Sequence, residues 1–388
     1  MLRFTNNSRK ASASLIALLF TVGLLVGGLG VYYINSRAIS NLNSQISHLR
    51  NQVDHLIESQ AYYSSNQTVN VTNQTITLYQ NASYLPDLYA NVSNSVVMIE
   101  GTTSSGSVQG SGFVYNYSGQ MVVITNYHVV EDTTDLSVTF ANGHGFAATI
   151  LGSDPYADLS VLSVDAPAEE LKPVAMVSSS SLRVGDEVIA IGNPYGLVGS
   201  LTTGVVSALH RSEQADFTAN FSIANLIQTS TLINPGNSGG PLLNAAGNVV
   251  GITNSIISDS QGLGFAVPSD TILREIGDLI HTGSYNKHPY LGIGSGDMSY
   301  SVAKEYNLSV TYGVYVGSVV SGGPSDGKIQ EGDVIIAMNG TVITGSDQLV
   351  SYYEANSLPG DALVLTIVRD GSTMDVIVIL GTKPSVST

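Results

Sequence analysis

Asn234-Pro235-Gly236-Asn237-Ser238-Gly239-Gly240-Pro241 lies between two apolar pairs, Leu232-Ile233 and Leu242-Leu243. Three glycines around one serine exclude a stable helix or strand interior, since glycine weakens both while permitting backbone conformations that other residues avoid. The stretch is therefore a shaped loop. Glycines on both sides let backbone N–H groups turn toward one point, as stabilising a developing oxyanion requires, and leave the Ser238 hydroxyl uncovered for attack on a carbonyl. A glycine-rich hairpin turn would read the same way in isolation, so a base and a carboxylate must be sought elsewhere in the chain.

A serine nucleophile needs a neutral imidazole to take its proton and a carboxylate to fix the tautomer of that imidazole. His128 closes the β run that begins at Met121, Asp158 follows 30 residues later at the start of the run Leu159 to Leu162, and Ser238 comes 80 residues after that. The order His, Asp, Ser is that of chymotrypsin-type barrels; subtilisins and α/β-hydrolases use other orders. Between Ser95 and about Val267 the text is made of short β runs, among them Val96 to Ile99, Gly112 to Tyr115, Leu136 to Phe140, Val188 to Ile191 and Gly264 to Val267. Such spacing predicts an all-β barrel or sandwich. A helix follows, with Ser269 as its cap, Ile272, Leu273, Ile276, Leu279 and Ile280 on one face, and Gly283 at its end.

The segments TNYHVV (from Thr125), DPYADLSVL (from Asp154), IGNPYGLVGSLTTGVVSALHR (from Ile191), IQTSTLINPGNSGGPLLN (from Ile227) and GLGFAVPS (from Gly262) resemble the successive motifs of the HtrA (high-temperature-requirement) serine proteases. YLGI at Tyr290 and the unit after it resemble their PDZ domain, and the resemblance runs from about residue 92 to 381. It implies an all-β, chymotrypsin-like double barrel of six strands each, with His128, Asp158 and Ser238 as triad and an oxyanion hole from the N–H groups of Gly236, Asn237 and Ser238. It also implies that His210 to about Phe221 is a regulatory loop carrying a sensor arginine at Arg211, and that the protease domains form homotrimers or higher assemblies. Ser230 stands where family members usually carry Asp. In trypsin-like enzymes a carboxylate six residues before the nucleophile selects Lys or Arg; here that position is Leu232, followed by Ile233, so an apolar specificity pocket is expected.

The 388 residues predict two folded domains plus an accessory segment. Only 11% are charged, with 30 acidic against 14 basic and a net charge of −16, which disfavours nucleic acid or anionic lipid as the main partner. Without cysteine the chain has no disulfides, no thiolate catalysis and no cysteine metal sites, and its seven histidines show no paired metal-binding spacing. No metal and no cofactor is expected. The uncharged run from Ala13 to Tyr33, preceded by Arg3, Arg9 and Lys10, predicts a transmembrane helix with residues 1–12 in the cytoplasm and the remainder outside; a cleaved signal peptide is the competing reading. Ile39, Leu42, Ile46, Leu49, Val53 and Leu56 trace a short heptad seam over residues 34–60, a coiled-coil stalk or a helix lying on another surface. Residues 61–91 read as a polar linker with acceptor sequons at Asn66, Asn70, Asn73, Asn81 and Asn91.

The protease domain is then expected over 92–283 and an α+β PDZ domain over 288–381. In the latter, Gly292 allows the chain to curl so that the amides of Leu291, Gly292 and Ile293 face a peptide carboxylate, with Leu291 and Ile293 lining an apolar pocket. A plain buried first strand is the alternative for these residues. The whole reads as a membrane-anchored, extracytoplasmic serine endopeptidase acting on protein or peptide substrates, unfolded or with free apolar C-termini. Its rival is a noncatalytic chaperone or scaffold that binds chains through the PDZ unit and the barrel.

Overall fold

The computed structural model describes residues 84–193, 199–218, 221–254 and 263–385. The expected transmembrane run, the heptad seam and the sequons up to Asn81 lie outside these residues. Among the described residues no helix is long and apolar enough to cross a membrane.

Residues 84–92, expected as the end of the polar linker, form a helix, α1 (Tyr84–Val92). Its Leu88 and Val92 lie one turn apart on one face and are buried in the central apolar cluster. Asn91 points outward from this helix rather than from a linker. The first barrel follows: β1 (Val96–Thr103), β2 (Gly106–Tyr117), β3 (Gln120–Thr125), a single helical turn α2 (Tyr127–Val130), β4 (Thr134–Thr139), β5 (Gly145–Asp154) and β6 (Leu159–Val164). These six strands close in the order β1-β2-β3-β6-β5-β4. The second barrel, closed as β10-β11-β12-β9-β8-β7, uses β7 (Glu187–Gly192), β8 (Ser200–Gln214), β9 (Ser222–Thr229), β10 (Pro241–Asn244), β11 (Val249–Asn254) and β12 (Gly264–Pro268). Every residue of β11 and of β12 is buried, so neither shows the alternation of a strand with one face in water.

One apolar cluster joins the two barrels: Phe113, Ile124 and Val161 from the first meet Ile189, Leu226 and Ile252 from the second. The helix α3 (Ser269–Thr282) covers it with Ile272, Ile276 and Leu279, and ends at Gly283 as expected. Leu273, expected on the same face, is 41% exposed. Ser269 is the first residue inside this helix instead of its cap, and its hydroxyl donates to Val177 O at 2.6 Å.

The C-terminal unit consists of β13 (Pro289–Tyr290), β14 (Ile293–Asp297), α4 (Tyr300–Glu305), β15 (Val314–Val319), β16 (Val334–Met338), β17 (Thr341–Val342), α5 (Ser346–Asn356), β18 (Ala362–Arg369), β19 (Ser372–Ile379) and β20 (Gly381–Thr382). Its main sheet runs β14-β15-β16-β18-β19, with β17 paired to β16, while β13 and β20 form a separate two-stranded ladder. That ladder ties the end of the unit to its beginning.

Candidate active site

Asp158 is fully buried one residue before β6, in a left-handed conformation with φ +52° that Asp tolerates better than most residues. Its carboxylate gathers donors from three sides. Oδ1 accepts the backbone N–H of His128 at 3.0 Å, Oδ2 accepts the ring Nδ1–H of His128 at 2.8 Å, and Oδ2 also accepts Nδ2–H of Asn254 at 2.7 Å. The buried Asn126 donates from Nδ2 to the Asp158 carbonyl at 2.8 Å, which holds the turn to the residues just before α2. His128 lies in α2, not in the strand from Met121, and the face of Phe217 stacks over its ring at 6.2 Å between centroids. Burial disfavours the imidazolium, but the charge of Asp158 and its hydrogen bond outweigh this and raise the His128 pKa.

Ser238 reaches the same region through bonds across the barrel interface. Its carbonyl accepts the amide of Ser111 at 2.8 Å, and the Ser111 hydroxyl donates to Gly236 O at 2.6 Å while accepting the Asn193 amide at 2.9 Å. Ser111 was not singled out from sequence; an ordinary serine in a strand carries no signal for a contact 125 positions away. Gly239, at φ +85°, leaves no room for a side chain: a Cβ there would lie 2.1 Å from Ser111 O. One of the three amides expected in the oxyanion hole is committed inside the loop, because Asn237 N–H donates to Asn234 O at 2.9 Å. Asn237 N–H is therefore already engaged within the loop.

In the C-terminal unit the chain curls at Gly292, φ +76°, between β13 and β14, with Leu291 buried and Ile293 half-buried. A groove of about 350 Å³ opens beside this curl, walled by Leu349 and Tyr353 of α5 and by Ser212, Gln214 and Phe221 from the β8–β9 hairpin.

Residues 110–252 match the trypsin-like peptidase domain and residues 289–380 the PDZ domain. A probable periplasmic serine endoprotease DegP-like of Chlamydia pneumoniae is 39% identical over 289 residues, 72% of this chain and 56% of that protein. The serine protease Do-like HtrB of Bacillus subtilis is 34% identical over 323 residues, 76% of this chain and 70% of that protein. The chain belongs to the HtrA family. Among solved structures, the HtrA-type protease AlgW with a tripeptide superposes with a TM-score of 0.62 at 30% identity, over 78% of this chain and 98% of that one. The chain spans about half the length of the first curated HtrA relatives it matches, 56% and 53% of them.

Within this HtrA chain, the stretch from His210, expected as a loop to about Phe221, is strand as far as Gln214, because β9 supplies partners: Arg211 faces Leu226, Glu213 faces Ile223 and Gln214 faces Ser222. Arg211 spans the two domains, donating from Nε to Gln228 at 3.1 Å and from Nη1 to Asp347 of α5 at 3.2 Å. Ser230, in place of the usual Asp, accepts the Val205 amide on its hydroxyl at 3.0 Å. Leu232 is 52% exposed, whereas Ile233 packs toward Gly264 and the small core of the second barrel.

A second titratable cluster joins the HtrA barrel to its PDZ unit. His288, with a 3% exposed side chain, donates from Nε2 to Asp154 of β5 at 2.7 Å and from Nδ1 to Glu354 of α5 at 2.6 Å. Donation from both ring nitrogens requires the imidazolium. Burial opposes that charge, but the bonds to Asp154 and Glu354 push its pKa up to about 9. From α3, Arg274 donates to Glu275 Oε1 at 2.6 Å and to Glu354 O and Oε1 at 2.6 and 3.2 Å. Burial, with the charge of Asp154, drives the Glu275 carboxyl well above the usual range, while bonds to His288 hold Asp154 and Glu354 below theirs against the pull of burial. Asp154, Glu275 and His288 bring ligand-type atoms within 4.8 Å of one another. With Arg274 facing Glu275, the imidazolium facing Asp154 and Glu354, and Lys383 3.7 Å from Glu354, the group reads as an ion-pair cluster rather than a metal centre.

A raised folded-state pKa means that the His288 contribution to stability is full below pH 6.5 and is lost as pH climbs through about 9. Unfolding by urea should accordingly show a stability about 2–3 kcal/mol lower at pH 10 than at pH 7, and His288→Gln should remove that difference. The same decline in the Gln variant would assign it to other groups.

Proposed function

We propose that the chain is a serine endopeptidase that cleaves misfolded or signal-bearing extracytoplasmic proteins through an acyl-enzyme. The observation that carries this reading is the buried Asp158 carboxylate receiving both the backbone and the ring N–H of His128. That arrangement favours the tautomer with Nδ1–H, so Nε2 can take the Ser238 proton as Oγ attacks the peptide carbonyl and later return it to the leaving amine. The amides of Gly236 and Ser238 are the proposed donors to the oxyanion, and Asp158 stabilises the imidazolium as it forms. Because His128 must be neutral to act as base and its pKa is raised, turnover should increase as pH rises through that pKa.

The finer parts of the reading rest on the family's plan and on the residues in place. Leu232 and Ile233 suit a pocket for small or medium aliphatic side chains, and the curl at Gly292 suits capture of a peptide's C-terminus, by analogy with the AlgW peptide complexes. Arg211, bonded to Asp347, is the proposed contact through which the β8–β9 hairpin senses the PDZ unit. Domains at 92–283 and 288–381, tethered by a single membrane pass at 13–33 with the catalytic part outside the cell membrane, complete the proposal. For assembly, a homotrimer is proposed; light scattering of residues 84–388 should give a trimer mass, and a monomer would count against it.

The test of the whole is a mass-spectrometric cleavage profile on unfolded casein. Cuts after Val, Ala and Ile are expected. A profile dominated by Lys and Arg would sink the pocket assignment, and no cleavage at all would return the chain to the scaffold reading.

A further inference from the structure

Ser111, in the middle of β2, is fully buried where the two barrels meet, and it grips the loop of Ser238 at two points. Its N–H donates to Ser238 O at 2.8 Å and its hydroxyl donates to Gly236 O at 2.6 Å, so one residue of the first barrel holds the carbonyls on both sides of Asn237 in the second. The direction of the hydroxyl bond is fixed. Because Oγ accepts the Asn193 amide at 2.9 Å, its one hydrogen is left for Gly236 O. The Ser111 carbonyl in turn accepts the hydroxyl of Thr125 at 2.7 Å, three residues before His128. The strand of the base and the loop of the nucleophile are thereby held to one common residue.

Gly236 is where this grip matters. At φ +99° it holds a conformation that glycine adopts readily and other residues avoid, and the same freedom would let the peptide after it rotate. Two bonds oppose that rotation: Ser111 Oγ holds the carbonyl of the peptide, and Asn234 O holds its N–H at 2.9 Å. The second bond lies inside the loop and moves with it. Only the first ties this peptide to the opposite barrel. Packing at the junction is close, since a Cβ on Gly192 would lie 3.1 Å from Ser111 Oγ and one on Gly239 2.1 Å from Ser111 O. Gly236 is itself buried, so removing the hydroxyl leaves its carbonyl short of a donor and gives the peptide a reason to turn.

We propose that Ser111 is a positioning residue for the reaction at Ser238: its hydroxyl, acting through the Gly236 carbonyl, keeps the amides of Gly236 and Ser238 aimed at the oxyanion of the tetrahedral intermediate. The proposal rests on the reading of those two amides as the oxyanion donors. Fully buried, Ser111 itself touches no substrate. Its effect is felt only where charge develops as the intermediate forms, so it governs turnover and not substrate binding.

The test reads turnover, binding and pH dependence together in the full chain. A fluorogenic peptide cut after Val gives kcat and KM, and a peptide boronate ending in Val gives the affinity for a tetrahedral adduct of Ser238. Ser111→Ala keeps the backbone bonds to Ser238 and Thr125. It should lower kcat about 10–100-fold, less than deleting a donor outright, and weaken the boronate by a similar factor, with KM within about threefold of the parent. The acidic limb of the pH–rate profile should stay in place, because the bond between His128 and Asp158 is untouched. Ser111→Thr, which keeps the hydroxyl, should restore turnover to within about fivefold of the parent. If the alanine variant does not melt cooperatively, Ser111→Cys decides the matter: a thiol fills the same site but donates weakly, so the same fall in kcat at unchanged KM is expected. A variant whose kcat stays within about threefold of the parent, or whose KM rises or acidic limb moves along with the loss, would overturn the role of Ser111. An unsubstituted chain that neither cleaves the peptide nor binds the boronate would overturn the reading of Ser238 as nucleophile, and the role of Ser111 with it.

Discussion

Ser238→Ala should leave a folded protein whose turnover on unfolded casein is lower by on the order of 10⁶-fold, the loss that removal of a triad nucleophile brings. The substitution deletes one oxygen from a residue that is 3% exposed, so it opens no cavity of consequence. The loop around it is shaped by backbone bonds that alanine keeps: Ser111 N–H to Ser238 O, Gly239 N–H to Thr253 O and Gly240 N–H to Asn237 O, at 2.8, 2.9 and 2.9 Å. Thermal melting should therefore match the parent within a degree or two while proteolysis vanishes. A variant that digests casein at the parent rate would remove Ser238 from the chemistry, and one that melts early would show that the hydroxyl holds the fold.

Asp158→Asn should cost roughly 10⁴-fold in turnover at neutral pH, by a different route. Both carboxylate oxygens accept: Oδ1 from the His128 backbone, Oδ2 from His128 Nδ1 and from Asn254 Nδ2. An amide has one oxygen, so whichever way it turns its NH₂ group faces a donor. The milder arrangement sets NH₂ against His128, which moves the ring proton to Nε2, where it can no longer accept from Ser238. Loss of the carboxylate charge should also lower the His128 pKa, so the acidic limb of the pH–rate profile should shift to lower pH along with the fall in turnover. A loss under tenfold, with an unshifted limb, would mean that Asp158 does not orient His128.

The candidate site could be picked out of the sequence because its residues carry local signatures. Glycines about Ser238 and an Asp ahead of an apolar strand mark turns that few other chemistries need, and α3 announced itself by its period and by Gly283. What stayed hidden depended on partners distant in sequence. In β5 the alternation of burial is interrupted by a bulge between Ile150 and Gly152 and is not matched by alternating polar and apolar residues in Gly145–Asp154, and the turn holding His128 is four residues long, too short to show a helical period. The hairpin that carries Arg211 looked like a loop because its polar text becomes strand only when β9 lies alongside it. Asn254, which steadies Asp158 from 96 positions away, is one asparagine among many in the sequence, and Lys383 lay beyond the boundary that the PDZ pattern suggested.

The seam at His288 differs in kind from the contact between the two barrels. Greasy surfaces can slide over one another and find neighbouring arrangements of nearly equal energy, because dispersion has little direction. A lattice of buried, directional bonds cannot: moving the PDZ unit by a single residue's rise would carry His288 and Glu354 together away from Asp154 and Arg274, breaking the bonds that cross the seam and leaving Asp154 without its cation. The joint should thus behave as a keyed coupling with one seated position. Wear on it, whether from alkaline conditions or from a lost key residue, should appear as the two parts disengaging together rather than as gradual play.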